Sequence, residues 1–168
     1  VASDQPVELD ERAGHAQGSA VAVTDSILLT NCHVVAGRPQ IRLSQEGHSG
    51  RAIVVYADPG GDRCFLKSLD MTVHPVHGVR RFETLHVGEP VFSLGTPQGL
   101  ELSFGQGLVS GLRYSEGVRL VQNSAPSWHG SSGGGLFDAR GNLVGITTMG
   151  STTVANLNFS IAAEDFWP

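Results

Sequence analysis

The sequence predicts an all-β protein whose short strands close into barrels, and three observations predict this fold class. The 168 residues include 22 glycines and 8 prolines, a content typical of many short strands joined by tight turns. Short apolar-rich runs alternate along the chain with turn residues such as glycine, proline and aspartate. Before the last few residues, no stretch of helical length carries an apolar period of 3.6 residues.

Strands are predicted from residue 18 onwards. Residues 1–16 are polar and acidic, show no clear period, and are expected to form a partly mobile arm with room for one short strand. The next segment predicts a β-hairpin with its turn at residues 24–26. Further strands are predicted after Gly37 and after Gly50. In chain order, the predicted strands of this half are 19–23, 27–30, 40–43 and 52–56, followed by one more that starts at Asp62.

Residues 68–87 show little periodicity and are predicted to cross between two lobes. This stretch contains His74 and His77, which have no further ligands nearby in the sequence and therefore favour a polar surface over a metal site. Short strands bounded by turns follow, and residues 162–167 are compatible with one helical turn. The predicted strands of this half are 91–95, 102–105, 107–112, 118–122, 136–137, 143–148 and 157–161.

Charge and hydropathy argue against two classes of function. The net charge is −5 at pH 7, the sequence pI is about 5.7, and no run of lysine and arginine is present, so no nucleic-acid partner is expected. No apolar stretch approaches the length of a transmembrane helix, so no membrane span is expected in this chain. The composition does not indicate an oligomeric state.

The residues from Gly130 to Phe137 predict a nucleophile loop. Ser132 lies in a Gly-x-Ser-Gly-Gly pattern, with Ser131 beside it as a second serine. A serine hydroxyl needs a base to become a nucleophile, and its oxyanion needs N–H donors already in place. Because glycine has no Cβ, the amides of Gly130 and Ser132 are able to turn towards a substrate carbonyl. On its own, such a pattern is more often a flexible turn or linker.

Two other stretches supply the partners that a serine nucleophile needs. His33 follows the apolar residues 28–30 at the end of a predicted strand, and Asp62 stands at the start of another, with Asp58 near enough to compete. The chain order His, Asp, Ser is that of chymotrypsin-like double barrels, whereas subtilisins have Asp, His, Ser and α/β-hydrolases have Ser, Asp, His. The motifs together indicate serine-dependent acyl transfer by Ser132.

Five blocks of sequence carry a family pattern, in one order along nearly the whole chain from Gly18 to Ala162. They are GSAVAV at 18–23, LTNCHVVAG at 29–37, VGEPVFSLGTPQGL at 87–100, GLVSGLR at 107–113 and GSSGGGLFDARGNLVGITT at 130–148. In these blocks the chain resembles the protease domain of the HtrA/Deg branch of the trypsin-like serine proteases. The resemblance implies two six-stranded β-barrels with the active site in the cleft between them. It divides the single domain, 1–168, into the arm at 1–16, a first barrel at about 17–78 and a second barrel at about 87–168.

The resemblance also implies a role for each catalytic residue. His33 matches the family's general base, and Ser132 matches its nucleophile. Asp62 matches the first position of the family's Asp-Leu-Ala-Leu-Leu-Lys run, and it is preferred to Asp58 because residues 65–67 continue that run at the right offset. The implied activity is that of a serine endopeptidase, which cleaves polypeptides through an acyl-enzyme and needs no cofactor or metal.

A polypeptide substrate is implied to bind along the second barrel. It would pair as an extended strand with the edge of the barrel, and the side chain before the cleaved bond would enter a pocket with no charged residue, which favours small apolar side chains. These roles fall to Thr148, Met149 and Gly150 for the strand, and to Pro126, Ser127 and Thr147 for the pocket.

Two alternatives stay open at this point. A pseudoprotease or binding module would keep the triad residues but hold the loop after Ser124 in an inactive shape. An esterase would use the same chemistry without the strand-pairing edge. The presence of His, Asp, Ser and Gly at all four chemical positions favours an active protease.

The two cysteines, Cys32 and Cys64, adjoin the predicted triad. A hydrogen bond between the His33 and Asp62 side chains would bring the cysteine backbones near the separation that a disulfide requires, about 4.4 to 6.8 Å between Cα atoms. The sequence does not show whether the Cβ atoms converge, so a disulfide and a pair of buried free thiols are both compatible with it. A disulfide would fit a periplasmic or secreted location.

Overall fold

The computed structural model of the chain describes residues 7–10, 17–96, 102–128, 130–150 and 157–166. Within these ranges, twelve strands form two closed barrels of six strands each. The predicted all-β fold with two six-stranded barrels is therefore confirmed. None of the helices in the described ranges is long and apolar enough to cross a membrane.

The first barrel closes through the pairing of its first and fourth strands. Its strands are β1 (Val7–Asp10), β2 (Gly18–Ala22), β3 (Ile27–Thr30), β4 (Ile41–Gln45), β5 (His48–Asp58) and β6 (Arg63–Ser68). The order around the barrel is β1-β2-β3-β6-β5-β4, and a short helix, α1 (Cys32–Val35), follows β3. Side chains alternate as in any half-buried strand: along β4, Ile41 and Leu43 are buried in the barrel, and Arg42 between them is exposed.

The strand β1 lies within residues 1–16, which the sequence assigns to an arm with room for one short strand. Leu9 of β1 stands opposite Gly18 on one side and Leu43 on the other. Without β1, the strands β2 and β4 would each present an unpaired edge, and barrel closure removes such edges. The first barrel therefore begins inside the predicted arm. Residues 1–6 and 11–16 of that arm lie outside the described ranges.

The second barrel follows a crossing segment that contains a short 3-10 turn, Phe82–Thr84. Its strands are β7 (Pro90–Gly95), β8 (Ser103–Ser115), β9 (Val118–Asn123), β10 (Gly135–Phe137), β11 (Leu143–Gly150) and β12 (Asn158–Ala162), in the order β10-β11-β12-β9-β8-β7. The predicted strands 102–105 and 107–112 belong to the single strand β8, which bends at a bulge between Val109 and Gly111. A second 3-10 turn, Ala163–Phe166, follows β12.

The two barrels share a buried apolar cluster. Val21 and Leu29 of the first barrel belong to one cluster with Leu143 and Ile146 of the second. Burial of each such side chain contributes roughly 1.5 to 3 kcal/mol. The crossing segment adds a hydrogen bond from the Arg80 amide to the Leu143 carbonyl at 2.8 Å. This packing fixes the end of β3 relative to the loop that precedes β10.

Candidate active site

His33 lies in the short helix α1, directly after β3. The predicted strand 27–30 ends at Thr30 in the structure as well, and His33 then lies in a helical turn that the sequence does not indicate. Cys32, Val34 and Val35 are buried, whereas 52% of the His33 side chain is exposed. The helical turn buries these three side chains while it turns His33 outward.

Asp62 lies in the loop between β5 and β6. Its φ of 55° falls in the left-handed region, where aspartate is tolerated better than most residues. Its amide donates to the Pro59 carbonyl at 3.2 Å, which closes the turn. The competing carboxylate, Asp58, accepts a hydrogen bond from Arg63 Nε at 3.0 Å instead. The loop therefore brings Asp62, and not Asp58, to His33.

Both carboxylate oxygens of Asp62 bind His33. Nδ1 of His33 lies 2.8 Å from Oδ2, and the His33 amide donates to Oδ1 at 3.0 Å. An ionised carboxylate only accepts hydrogen bonds, so Nδ1 carries the proton and Nε2 keeps its lone pair. The geometry therefore leaves Nε2 of His33 able to act as a base.

Thr148 on β11 completes this pair. The sequence assigns Thr148 to the substrate-binding strand, but its side chain is only 6% exposed and its hydroxyl donates to Asp62 Oδ2 at 2.9 Å. This contact joins residues 86 positions apart, on different barrels. One of two adjacent threonines in an apolar strand carries no sequence signal for such a contact, so sequence reasoning missed it.

These contacts shift the pKa values of both groups. The hydrogen bond to Asp62 raises the pKa of His33 above its usual value of 6.5, against the opposing effect of partial burial. Burial acts to raise the pKa of the Asp62 carboxyl, but the hydrogen bonds from His33 and Thr148 together outweigh it and hold that pKa below 3.8. Asp62 is therefore ionised near neutral pH, and it stabilises an imidazolium on His33.

The two serines of the glycine-rich loop point to different partners. Ser132 is half-buried, and its Oγ donates to the Thr148 carbonyl at 3.4 Å. Among the described residues, no hydrogen bond joins the Ser132 hydroxyl to His33. Without substrate, such nucleophile–base bonds are often long and tighten in the Michaelis complex. Ser131 is buried, and its Oγ accepts a hydrogen bond from the Trp128 amide at 2.9 Å, so it faces the inside of the loop.

The loop owes its path to glycines in the left-handed region. Gly130 has a φ of 89° and Gly133 a φ of 87°. A Cβ at Gly133 would collide with the carbonyl of Ser19, so no larger residue fits there. The N–H of Ser132 donates to no acceptor in the described part of the chain, which leaves it available to an oxygen of another molecule.

The predicted substrate strand lies at the end of β11. The strand β10 pairs with β11 only as far as Ile146, whereas β12 continues alongside to Gly150. Thr147 is then held by the loop, since its amide donates to the Gly134 carbonyl and its carbonyl accepts from Gly133, both at 2.8 Å. In the described strands, the edge beyond Thr147 has no β10 residue opposite it.

The residues predicted to line the pocket before the cleaved bond lie on two elements. Thr147 is buried on β11, and Pro126 and Ser127 follow β9. The carbonyl of Pro126 accepts a hydrogen bond from the Ser93 hydroxyl at 2.9 Å, which ties this segment to β7. These three residues are uncharged.

A disulfide and an apolar groove lie beside His33. Cys32 and Cys64 are joined with their Cα atoms 5.0 Å apart, which links α1 to β6. The groove has a volume of about 660 Å³ and opens next to His33. Its apolar lining comes from α1 and the residue after it, from β5, and from the loop after β5: Val35, Ala36, Val54, Ala57 and Pro59. Sequence reasoning missed this groove because no single segment contains it.

A histidine–aspartate pair on one barrel, with a serine in a glycine-rich loop of a second barrel, is the arrangement of the chymotrypsin-like serine proteases. The family model described as "Trypsin-like peptidase domain" matches residues 18–146, and the chain belongs to this family. The relatives described next place it on the HtrA/Deg branch, as the sequence blocks predict.

Three relatives illustrate the similarity. Serine endoprotease DegS of Haemophilus influenzae is 33% identical over 162 residues, an alignment that covers 88% of this chain and 47% of DegS. Serine protease HTRA1 of Xenopus laevis is 31% identical over 160 residues and is covered to 34% of its length, with 89% of this chain aligned. The solved structure of the HtrA-type protease AlgW with a tripeptide superposes with a TM-score of 0.86 at 29% identity, over 98% of this chain and 57% of AlgW. The chain thus spans less than half the length of both curated relatives.

Proposed function

We propose that the chain is a serine endopeptidase domain in which Ser132 is the nucleophile and His33 the general base. The observation that carries the proposal is the 2.8 Å contact between His33 Nδ1 and Asp62 Oδ2, which fixes the imidazole with Nε2 as its basic nitrogen. The family supports the same chemistry, because its named relatives are serine proteases.

The proposed reaction has two halves. Nε2 of His33 takes the Ser132 proton while Oγ forms a bond to the scissile carbonyl carbon, and the carbonyl oxygen becomes an oxyanion. His33 then gives the proton to the leaving amine as the C–N bond breaks, which leaves an acyl-enzyme on Ser132. Water, activated by His33, hydrolyses that ester. Asp62 holds the tautomer and stabilises the imidazolium at each transfer.

The amides of Gly130 and Ser132 are proposed as the oxyanion donors. The free N–H of Ser132 and the left-handed φ of Gly130 support this assignment. Loss of one such donor typically costs about 10² to 10³ in rate, so the shape of this loop decides whether the site is active.

The proposed substrates are polypeptides bound as an extended strand along residues 148–150. The β11 edge beyond β10 supports this, since an added strand would form main-chain hydrogen bonds there. A small apolar residue before the cleaved bond suits the uncharged segment formed by Pro126, Ser127 and Thr147. The groove beside His33 offers a second apolar side-chain site.

A periplasmic or secreted location is proposed on the disulfide. Such bonds persist in oxidising compartments and are rare in a reducing cytosol. The Cys32–Cys64 bond is the observation that supports this location.

One observation favours a pseudoprotease as a second candidate. The Ser132 hydroxyl binds the Thr148 carbonyl at 3.4 Å rather than His33, and a loop that stayed in this shape would not attack a substrate. The two candidates differ in whether the loop can reorganise when a substrate or inhibitor binds.

A fluorophosphonate probe tests both candidates. A competent Ser132 Oγ attacks the phosphorus, displaces fluoride and becomes covalently labelled. We expect labelling of the wild-type chain and no labelling of Ser132→Ala. The variant Ser131→Ala should still be labelled, because the Ser131 hydroxyl that it removes faces the inside of the loop. Labelling that survives in Ser132→Ala would overturn the nucleophile assignment. An unlabelled wild-type chain that is folded by circular dichroism would support the pseudoprotease.

A further inference from the structure

Ser19, a buried residue of the first barrel, holds the nucleophile loop of the second barrel. It lies on β2, its side chain is fully buried, and it does not belong to the triad. Its amide donates to the Ser132 carbonyl at 2.8 Å, and its hydroxyl donates to the Gly130 carbonyl at 2.8 Å. One residue of the first barrel therefore binds the loop on both sides of Ser131.

Thr96, the other partner of Ser19 Oγ, determines the direction of the Ser19 hydroxyl proton. The amide of Thr96, just after β7, donates to Ser19 Oγ at 3.1 Å, and the Thr96 hydroxyl lies 3.2 Å from the same atom. Since Ser19 has one hydroxyl proton and uses it on Gly130, the Thr96 hydroxyl must be the donor in that second contact. Both lone pairs of Ser19 Oγ are then occupied, so its proton has one available direction, towards the loop.

This bond fixes the peptide plane between the two proposed oxyanion donors. The carbonyl of the Gly130–Ser131 peptide is held by Ser19, and its N–H donates to the Trp128 carbonyl at 2.9 Å. A planar peptide held at both ends cannot rotate about its axis. The N–H groups of Gly130 and Ser132 lie on either side of that plane, so rotation of the plane would turn one or both away from a bound oxygen.

The backbone freedom of Gly130 explains why the loop needs a contact from outside itself. A glycine adopts positive and negative φ about equally well, so its φ of 89° is not enforced by its own sterics. We propose that Ser19 is a positioning residue, whose hydroxyl holds the Gly130 carbonyl and so keeps the oxyanion loop in its donor arrangement. This inference rests on the proposed function, because it concerns the same loop.

The variant Ser19→Ala removes the hydroxyl and keeps the Ser19 amide bond to Ser132. We expect kcat for a peptide substrate to fall by roughly 10- to 100-fold, less than or equal to the loss of one oxyanion donor, with KM changed by no more than about twofold. Binding of a peptide boronate, which mimics the tetrahedral intermediate, should weaken by a similar factor. Binding of the product peptide, which forms no tetrahedral adduct, should not weaken.

Thr30→Val is the matched control. The Thr30 hydroxyl is as buried as that of Ser19 and donates to the Ser19 carbonyl at 2.8 Å, but it does not touch Gly130. Valine has the same shape as threonine but lacks the hydroxyl. If Ser19 acts only through stability, both variants should lose unfolding free energy and neither should lose kcat. Equal losses of kcat in both variants, or wild-type kcat and boronate affinity in Ser19→Ala, overturn the proposal.

Amide hydrogen exchange makes the test independent of activity. We expect the Ser131 N–H, which donates to Trp128, to exchange about tenfold faster or more in Ser19→Ala than in the wild-type chain, and no such change in Thr30→Val. Unchanged exchange in Ser19→Ala contradicts the positioning role whether or not the chain cleaves peptides. A wild-type chain that neither cleaves nor labels refutes the proposed function alone.

Discussion

Removal of the Cys32–Cys64 disulfide tests how far the site depends on a covalent link. The bond closes a loop with a sequence separation of 32. In the chain-entropy account, a loop of this length stabilises the folded state by about 3.7 kcal/mol at 25 °C. For a chain of this size, each kcal/mol shifts the melting temperature by about 2 to 4 °C, so the variant Cys32→Ala/Cys64→Ala should melt about 7 to 15 °C lower.

The same bond should affect turnover less than stability. It joins α1, which carries His33, to β6 just after Asp62, but hydrogen bonds also hold these elements together. The Cys32 amide donates to the Asp62 carbonyl at 3.4 Å, and the Asn31 side chain donates to it at 3.2 Å. A misplacement of about 1 Å is able to cost 10²-fold in rate, and with these bonds retained we expect a loss of roughly tenfold.

Urea unfolding, thermal melting and peptide hydrolysis measure these effects, each with and without a phosphine reductant. In the wild-type chain, hydrolysis should fall on reduction before the far-ultraviolet circular dichroism changes. The double variant is the control, because reductant should leave it unaffected. An unfolding free energy within about 1 kcal/mol of the wild-type value would refute the chain-entropy reasoning. Alkylation of both cysteines without prior reduction would show that the bond is absent from the protein in solution.

Three further predictions concern the histidine–aspartate pair. Asp62→Asn should lower kcat by roughly 10⁴-fold in steady-state hydrolysis without unfolding the chain, because the wrong imidazole tautomer is favoured. Asp58→Asn is the control. A loss of that size in Asp58→Asn instead would mean that the wrong carboxylate has been assigned. Since general-base catalysis needs neutral His33 and Asp62 raises its pKa, kcat/KM should rise with pH around a midpoint above 6.5, and a midpoint below 6.5 would contradict the pairing. Urea unfolding at several pH values measures what each group contributes to stability. The His33 contribution should be fully present below pH 6.5 and be lost as the pH rises through its raised pKa. The Asp62 contribution should be present above about pH 3.8 and be lost as the pH falls through its lowered pKa.

The sequence predicts most of the strands, because their signals are local. Alternation and turn residues predict the hairpin of β2 and β3 and the strands β7, β9 and β11 of the second barrel, whereas the glycines of β8 make that one strand look like two. The strand β1 is too short to show a pattern of its own, and only closure of the barrel explains it. The helix α1 is missed for a similar reason, since its four residues follow an apolar strand without a break in composition.

The residues of the site likewise divide into those with a local sequence signal and those without one. Motifs point to His33 and Ser132, because a base, a nucleophile and glycine-rich donors each impose a residue type on a short segment. Thr148 and Ser19 carry no such signal. A hydroxyl that contacts a residue on the other barrel looks in the sequence like any other threonine or serine in a strand, and only the packing of the two barrels selects its partner.

These two hydroxyls act in opposite directions across the cleft. Thr148 of the second barrel donates to Asp62 of the first, and Ser19 of the first barrel donates to the nucleophile loop of the second. Each barrel therefore holds a part of the proposed site that belongs to the other barrel, and the shared apolar cluster sets the distance between the two parts. Because the proposed base and the proposed nucleophile lie on different barrels, a small change in barrel packing would separate Ser132 from His33 without unfolding either barrel. The activity of the site is then expected to be more sensitive to substitutions in that cluster than the secondary structure is.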